Sequence, residues 1–292
     1  MQFLKKRFPK KIRLSNKIFF HPEYSLETHH LQNFFSEALQ RTVHIDVFLP
    51  PGHFSETRNT YPTLFLNDGQ DTPAIGLPDT LERLYAKGKI PKIIVAAIHA
   101  DQNRMQEYGI AGRPDYKKRG GKAQAYADFL LQELIPELRK RYKVSETASQ
   151  TAVAGFSLGA LSAFGLAWSH PGTFGKVGIF SGSLWWRSRA FTPENPDGYR
   201  IVHEMVAGST KREGLRFWMQ AGTEDEQEDR NNNGIIDAID DTLDLIKELK
   251  KLGYQEGKEV KYVEVKGGQH NPATWGKVMP DFLQWAFQEG PR

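Results

Sequence analysis

Cysteine is absent from the 292 residues, which excludes disulfides, thiolate nucleophiles and cysteine-ligated metals at once. Long apolar runs are missing too. No stretch approaches the ~18 residues that a membrane-spanning helix needs, so no membrane partner is expected. The N-terminus is basic, but no apolar core of roughly 7–15 residues follows it, so no signal peptide is visible and a cytoplasmic location is expected. Internal repeats and linkers rich in Pro, Gly or Ser are also lacking, and residues 1–292 read as one domain. Charge is nearly balanced, at +4 net, and that modest excess does not argue for nucleic acid. Much of it lies in "KKRFPKKIR" (Lys5 to Arg13), read as a solvated basic arm within residues 1–15.

What is present is an ordinary globular composition, with 39% hydrophobic and 25% charged residues. "RTVHIDVFLP" (Arg41 to Pro50) alternates apolar and polar positions as a half-buried strand does. "YPTLFLNDG", "KIIVAAIHA", "QTAVAGFS", "KVGIFSGS", "LRFWMQAGT" and "VKYVEVKGG" are short runs of the buried-strand type. Between them lie helical patterns: "DTLERLYAKG", a longer one from Tyr126 to Leu138 with a kink expected at Pro136, "LGALSAFGLAWSHP" and "IDDTLDLIKELKKLG". Strands alternating with helices predict an α/β fold, with a mostly parallel sheet covered on both faces.

One turn in that series carries chemistry. "AGFSLGA" sets Gly155-Phe156-Ser157-Leu158-Gly159 between an apolar strand and a helix, the context that G-x-S-x-G requires. Glycine on both sides permits a sharp turn that lifts the Ser157 hydroxyl off the sheet, and the helix behind it aims amide groups at the same spot. The bland alternative is a plain structural turn.

A nucleophilic serine needs a base, and for this arrangement the chain order is Ser, acid, His. His270 in "VKGGQHNPATW" follows a late strand on a Gly-rich loop. His170 in "WSHPG" reads as a helix-end residue, and His203 in "YRIVHEMV" as packed on a helix face or facing water. The acid should follow a strand between Ser157 and His270. Asp225 in "GTEDE" fits, with Glu224 and Glu226 as rivals one step away. "LFLNDGQD" supplies the second oxyanion donor, with Gly69 allowing the turn and the Gln70 amide joining that of Leu158. An Asx-type turn through Asn67 and Asp68 is compatible with that role.

Taken together, "LNDGQ", "GFSLGA", "FSGSLWW", "GTED" and "GGQHNPATW" resemble the putative-esterase branch of the α/β-hydrolases, from about Arg41 to the C-terminus. That branch includes feruloyl esterases, mycolyltransferases and enterochelin esterases. "SGSLWW" and the basic residue of "DQNRMQEYG" look most like the siderophore esterases. The resemblance implies a three-layer α/β-hydrolase fold and a small-molecule ester as substrate, with no organic cofactor. It implies Ser157 as nucleophile, His270 as base, Asp225 as acid, Gln70 and Leu158 as oxyanion donors, and Arg104 and Trp186 lining the cleft. The bland readings are that Trp185 and Trp186 fill core and that Arg104 pairs with Glu107. An extra N-terminal domain of some enterochelin esterases has no obvious counterpart here.

The acidic run after "GTEDE" is not part of that pattern. "DRNNNGIIDAID" (Asp229 to Asp240) fits D-x-[DN]-x-[DN]-G-x5-[DE], a twelve-residue calcium loop. Asp229, Asn231 and Asn233 take positions 1, 3 and 5, Gly234 the turn, Ile235 the carbonyl position, Asp237 position 9 and Asp240 position 12. A strand precedes it instead of a helix, so a lone structural Ca2+ loop is expected, not a paired EF-hand. An Asx-rich turn capping the next helix is the alternative. The expected activity is ester hydrolysis through an acyl-enzyme. Acyl transfer or feruloyl or acetyl-carbohydrate ester cleavage on the same residues is the runner-up, and a non-catalytic binder of an anionic ligand or siderophore is the reading of another class.

Overall fold

The structure, a computed structural model, describes residues 24–55 and 60–288; the basic arm expected within residues 1–15 lies outside them. Strands are β1 (Glu27–Ser36), β2 (Arg41–Leu49), β3 (Thr63–Asn67), β4 (Ile94–Ile98), β5 (Thr151–Phe156), β6 (Lys176–Phe180), β7 (Arg216–Glu224) and β8 (Val260–Gln269). They form one sheet in the order β1-β2-β4-β3-β5-β6-β7-β8. The pairs β1/β2 and β2/β4 are antiparallel, and from β4 to β8 every pair is parallel.

Helices α1 (Leu77–Ala86), α2 (Arg104–Glu107), α3 (Ala123–Asp128), α4 (Ile135–Tyr142), α5 (Leu158–Ser169), α6 (Ile201–Ala207), α7 (Asp237–Lys251) and α8 (Pro272–Phe287) complete the fold. The strand interiors explain the layering, because successive side chains point to opposite faces. Phe65, Ile94, Val153, Val177 and Met219 pack with α3, α4, α5 and α7 on one face. Leu64, Leu66, Val95, Ala154 and Trp218 pack with α1 and α8 on the other. Helices on both faces of a mostly parallel sheet make the expected three-layer α/β-hydrolase fold.

Two local features depart from the sequence expectation. The kink assigned to Pro136 takes the form of a π-helical turn, Phe129–Leu134, between α3 and α4. Proline supplies no N–H to the turn before it, and a widened turn accommodates that. The β7/β8 ladder is irregular at its end. Gly222 pairs with Val265 and the next pair is Glu224 with Gln269, so β8 advances four residues while β7 advances two.

Parallel strands end together, and this sets the site. Asn67, Ile98, Phe156, Phe180, Glu224 and Gln269 close β3 to β8 along one edge, the carboxyl edge where α/β sheets place ligands. The residues just beyond include Gln70, Ser157, Asp225 and His270. Among the described residues no helix is long and apolar enough to cross a membrane.

Candidate active site

Ser157 links β5 to α5 at φ 54, ψ −119, a backbone state that residues with a side chain rarely adopt and that persists only where the surroundings impose it. Here they do. A Cβ on Gly155 would lie 2.5 Å from the Gly159 carbonyl, and one on Gly159 would lie 2.4 Å from Asp68 Oδ2. Only glycine on both sides lets β5, α5 and the β3 loop meet this closely. The Ser157 amide donates to Phe180 O (2.9 Å) and its hydroxyl lies 3.3 Å from that of Ser183. The Ala160 amide turns back to Ser157 O (3.1 Å), whereas that of Leu158, at the first position of α5, has no acceptor within the helix.

Gln70 lies in the 3₁₀ turn Gly69–Asp71, which follows Asp68 in the left-handed region (φ 62). Side chains hold this loop from every side. Arg104 Nε and Nη2 donate to the two Asp68 carboxylate oxygens at 2.7 and 2.8 Å. Asn67 Nδ2 donates to Gly159 O (2.8 Å), Tyr126 Oη donates to Asn67 Oδ1 (2.6 Å), and the Ala100 amide donates to Gln70 Oε1 (3.0 Å). Asp68 Oδ1 also accepts from the Gln70 side chain (3.3 Å), and among the described residues neither Asn67 nor Asp68 closes an Asx turn onto a backbone amide.

Asp225 follows β7 and receives the Gly222 amide on Oδ2 (2.9 Å), while its Oδ1 is buried without a hydrogen-bond partner among the described residues. Glu224 is exposed and its carboxylate takes Gln269 Nε2 (3.4 Å). Glu226 is turned toward α7, where burial and the nearby Asp237 raise its pKa to about 7. Of the three acids, Asp225 is the one that electrostatically favours His270 in its charged form.

His270 follows β8. Neither of its ring nitrogens holds a hydrogen bond to the described residues, and the ring meets Trp275 edge-on, centroids 5.5 Å apart. Burial lowers its pKa below the ordinary imidazole value; Asp225 opposes the shift and Arg104 adds to it. A neutral imidazole at pH 7 is the form a general base needs.

Two residues expected at the cleft behave differently from one another. Trp186 is completely enclosed: its ring packs on Gly109 and Gly120, and its indole N–H donates to Arg113 O (3.2 Å). It fills core and does not line the cleft. Arg104 pairs with Asp68 and not with Glu107, whose carboxylate is taken by Arg41 at 2.6 and 2.8 Å. Trp275 was given no role on sequence grounds, yet it stacks on Phe156, bonds Ser181 Oγ through its indole N–H (3.0 Å) and walls His270. Its place three residues into α8, right after the His loop, is the signal that could have marked it. His170 and His203 stand apart, at the end of α5 and within α6.

The calcium-type loop folds on itself. Asp229 Oδ1 and Oδ2 accept the amides of Asn233 and Gly234 at 3.1 and 2.8 Å, and Asn233 Oδ1 accepts that of Ile235 at 2.8 Å. The side chains of Asn231 and Asn233 both reach Asp240 Oδ2 (2.8 Å each), and Gly234 sits at φ 85. The side-chain amides of Asn231 and Asn233 thus gather on Asp240, while Asp229 holds the turn through its backbone amides. Asp237 does not join them, because its carboxylate binds the Arg230 amide (2.9 Å) and guanidinium (3.1 Å). Neither Asp237 nor Asp240 caps α7 through its side chain.

A parallel sheet with a strained serine at its carboxyl edge, and an imidazole and a carboxylate beyond the last two strands, defines the α/β-hydrolase class. Within it, the family model described as putative esterase matches residues 36–286, and the chain belongs to that family, which places it among carboxylic ester hydrolases. The iron(III) enterobactin esterase of Escherichia coli (strain K12) is 34% identical over 135 residues, 44% of this chain and 32% of that protein. The uncharacterized protein YbbA of Bacillus subtilis (strain 168) is 23% identical over 245 residues, 82% of this chain and 91% of YbbA. Among solved structures, the Shigella flexneri enterobactin esterase with enterobactin superposes with a TM-score of 0.70 at 22% identity, covering 92% of this chain and 60% of that one. A ferulic acid esterase does so at 0.67 and 19%, covering 91% and 99%. The chain therefore spans about a third of the E. coli esterase and about 60% of the Shigella one, and the structural likenesses speak for the fold.

Proposed function

We propose that the protein hydrolyses a carboxylic ester through an acyl-enzyme on Ser157. The Ser157 Oγ adds to the ester carbonyl carbon as His270 takes its proton. The carbonyl oxygen becomes an oxyanion facing the amides of Leu158 and Gln70. Collapse breaks the ester C–O bond, and His270 returns the proton to the departing alkoxide. Water, deprotonated by the same imidazole, then releases the acid. Asp225 fixes the imidazole tautomer and stabilises the imidazolium, accepting the ring N–H on its Oδ1, which has no partner among the described residues. The observation that carries this reading is Ser157 at φ 54 between two glycines that nothing larger could replace.

For the substrate, the 34% identity to the enterobactin esterase favours an ester of the siderophore kind. A feruloyl or acetyl-sugar ester, or transfer of the acyl group to an alcohol, is the alternative on the same residues. Arg104 serves by holding Asp68 and by offering the exposed part of its guanidinium to an anionic substrate. The test is a panel of siderophore, feruloyl, acetyl-sugar and short-chain esters, with fluorophosphonate labelling of Ser157 as the companion measurement. Turnover lost in Ser157→Ala supports the proposal, and acyl partitioning to added alcohol would favour transfer. No labelling and no turnover on any ester would leave the non-catalytic binder.

We further propose that the Asp229–Asp240 loop takes a structural Ca2+, supported by the gathering of Asn231 and Asn233 on Asp240 and by the turn that Asp229 holds. Bound there, the ion would draw the amide oxygens of Asn231 and Asn233 and the Ile235 carbonyl, and would pin the segment after Asp225. Adding Ca2+ to chelator-treated protein should raise its melting temperature, and Asp240→Asn should abolish the rise. An unchanged melting temperature would leave the loop as a hydrogen-bonded turn.

A further inference from the structure

Three imidazoles surround one carboxylate at the far side of the sheet from Asp225. His30 Nδ1 lies 2.6 Å and His44 Nε2 3.1 Å from Asp46 Oδ1, and His99 Nε2 lies 2.8 Å from Asp46 Oδ2. The sheet itself brings them together. His44 and Asp46 are two apart on β2 and so share a face. His30 on β1 is the ladder partner of Asp46, and the His99 amide, just past β4, bonds His44 O (2.9 Å). Pleat and register therefore set four side chains from three neighbouring strands on one face. There the His44 and His99 rings stack flat, 4.2 Å apart and 3° from parallel.

We propose that His30 Nδ1, His44 Nε2 and Asp46 Oδ1 bind one first-row divalent metal ion of the zinc type, with His99 holding the far oxygen of Asp46. The three ligand atoms lie within 4.8 Å of one another. Zinc bonds of about 2.0–2.2 Å set ligand atoms of a tetrahedral site roughly 3.3 Å apart, so His30, now 2.6 Å from Asp46 Oδ1, must move back to admit the ion. The His30 side chain, half exposed on the edge strand, is free to make that shift by rotation. Asp46 is largely enclosed and fixed. Two imidazoles and a carboxylate favour zinc, nickel, cobalt or copper over calcium or magnesium, which prefer all-oxygen shells. Each imidazole ligand would present an unprotonated nitrogen to the ion and carry its ring proton on the other nitrogen. His99 supplies what metal sites regularly have behind a carboxylate ligand, a second donor that fixes its orientation.

Three protein ligands leave a coordination position open to water or to a ligand. The site also abuts the loop carrying Gln70, since a Cβ on Gly69 would meet His99 Cδ2 at 2.8 Å. None of this depends on the role given to Ser157.

The test uses the full-length chain, stripped with chelator and titrated with Zn2+ by calorimetry and with Co2+ by visible absorption. One saturable equivalent is expected, with Co2+ bands of an imidazole-ligated ion. His30→Gln and His44→Gln should each weaken binding tenfold or more and erase the bands, with circular dichroism confirming the fold. His99→Gln should weaken binding less. Asp240→Asn, in the acidic loop, should leave the Zn2+ titration unchanged. Absence of saturable binding in the wild-type chain would overturn the proposal. So would an affinity and spectrum unaltered by both ligand variants, or binding that disappears with Asp240→Asn. In those cases the cluster is a hydrogen-bonded network only.

Discussion

Phe156 and Trp275 stack with ring centroids 4.8 Å apart and planes 16° from parallel. The first precedes the candidate nucleophile and the second follows the candidate base by five residues, so one aromatic contact sets the spacing between two loops from different strands. Trp275 is buried and its indole N–H is spent on Ser181. Trp275→Ala should destabilise the fold by about 3–5 kcal/mol, the usual range for a buried tryptophan. It should also lower kcat more than it raises KM, because the His270 ring loses its wall. Trp275→Phe should recover much of the stability but not the Ser181 bond. Denaturant unfolding alongside steady-state kinetics separates the two effects, and an unchanged kcat in a folded Trp275→Ala would remove this role.

The Arg104–Asp68 pair is expected to be the most sensitive polar contact near the site. Asp68 is almost fully buried and its two oxygens are matched by one guanidinium. Removing one partner of a buried ion pair typically costs about 3–5 kcal/mol, whereas replacing both is far milder. Arg104→Gln should therefore melt well below the wild type, and Arg104→Gln with Asp68→Asn should melt above Arg104→Gln alone. A double variant no more stable than the single one would show that the pair is not coupled as described.

The pH profile of kcat/KM reports the base. Because burial lowers the His270 pKa, the acid limb should fall below the ordinary imidazole value of about 6.5. Asp225 pushes that pKa up, so Asp225→Asn should move the limb to still lower pH while lowering the plateau. A limb that moves to higher pH in Asp225→Asn would mean that Asp225 does not face His270.

Stability has its own pH dependence through His203. Burial, chiefly, lowers its pKa to about 3, and its Nε2–H donates to Asp241 O at 2.8 Å. In the unfolded chain the imidazole protonates near pH 6.5, and in the folded protein it stays neutral. Stability is therefore full above that value and is lost as pH falls toward 3, by up to about 1.4 kcal/mol per pH unit for this one group. His203→Gln should flatten that slope between pH 6 and 4, measured by urea unfolding at several pH values.

The fold was legible because alternation and buried runs report directly on a sheet covered on both faces. The strained turn at Ser157 was legible because strand, glycine pair and helix are contiguous. Trp186 misled because an aromatic beside the cleft motif reads the same whether it faces substrate or, as here, Gly109 and Gly120. The roles of Asp68 and Arg104 could not be read, since 36 residues separate partners that meet only through folding. The His30, His44, Asp46 and His99 cluster was hidden for the same reason, as register between three strands creates it.

The uneven end of the β7/β8 ladder makes chain length a ruler. Across the irregularity β8 contributes two residues more than β7 between Val265 and Gln269, and at roughly 3.3 Å per residue that slack amounts to about 6–7 Å of reach. The place of His270 along the carboxyl edge therefore depends on how many residues this bulged segment holds as well as on which ones. Shortening "KGG" (Lys266 to Gly268) would draw His270 back from the edge while leaving each side chain of the site intact.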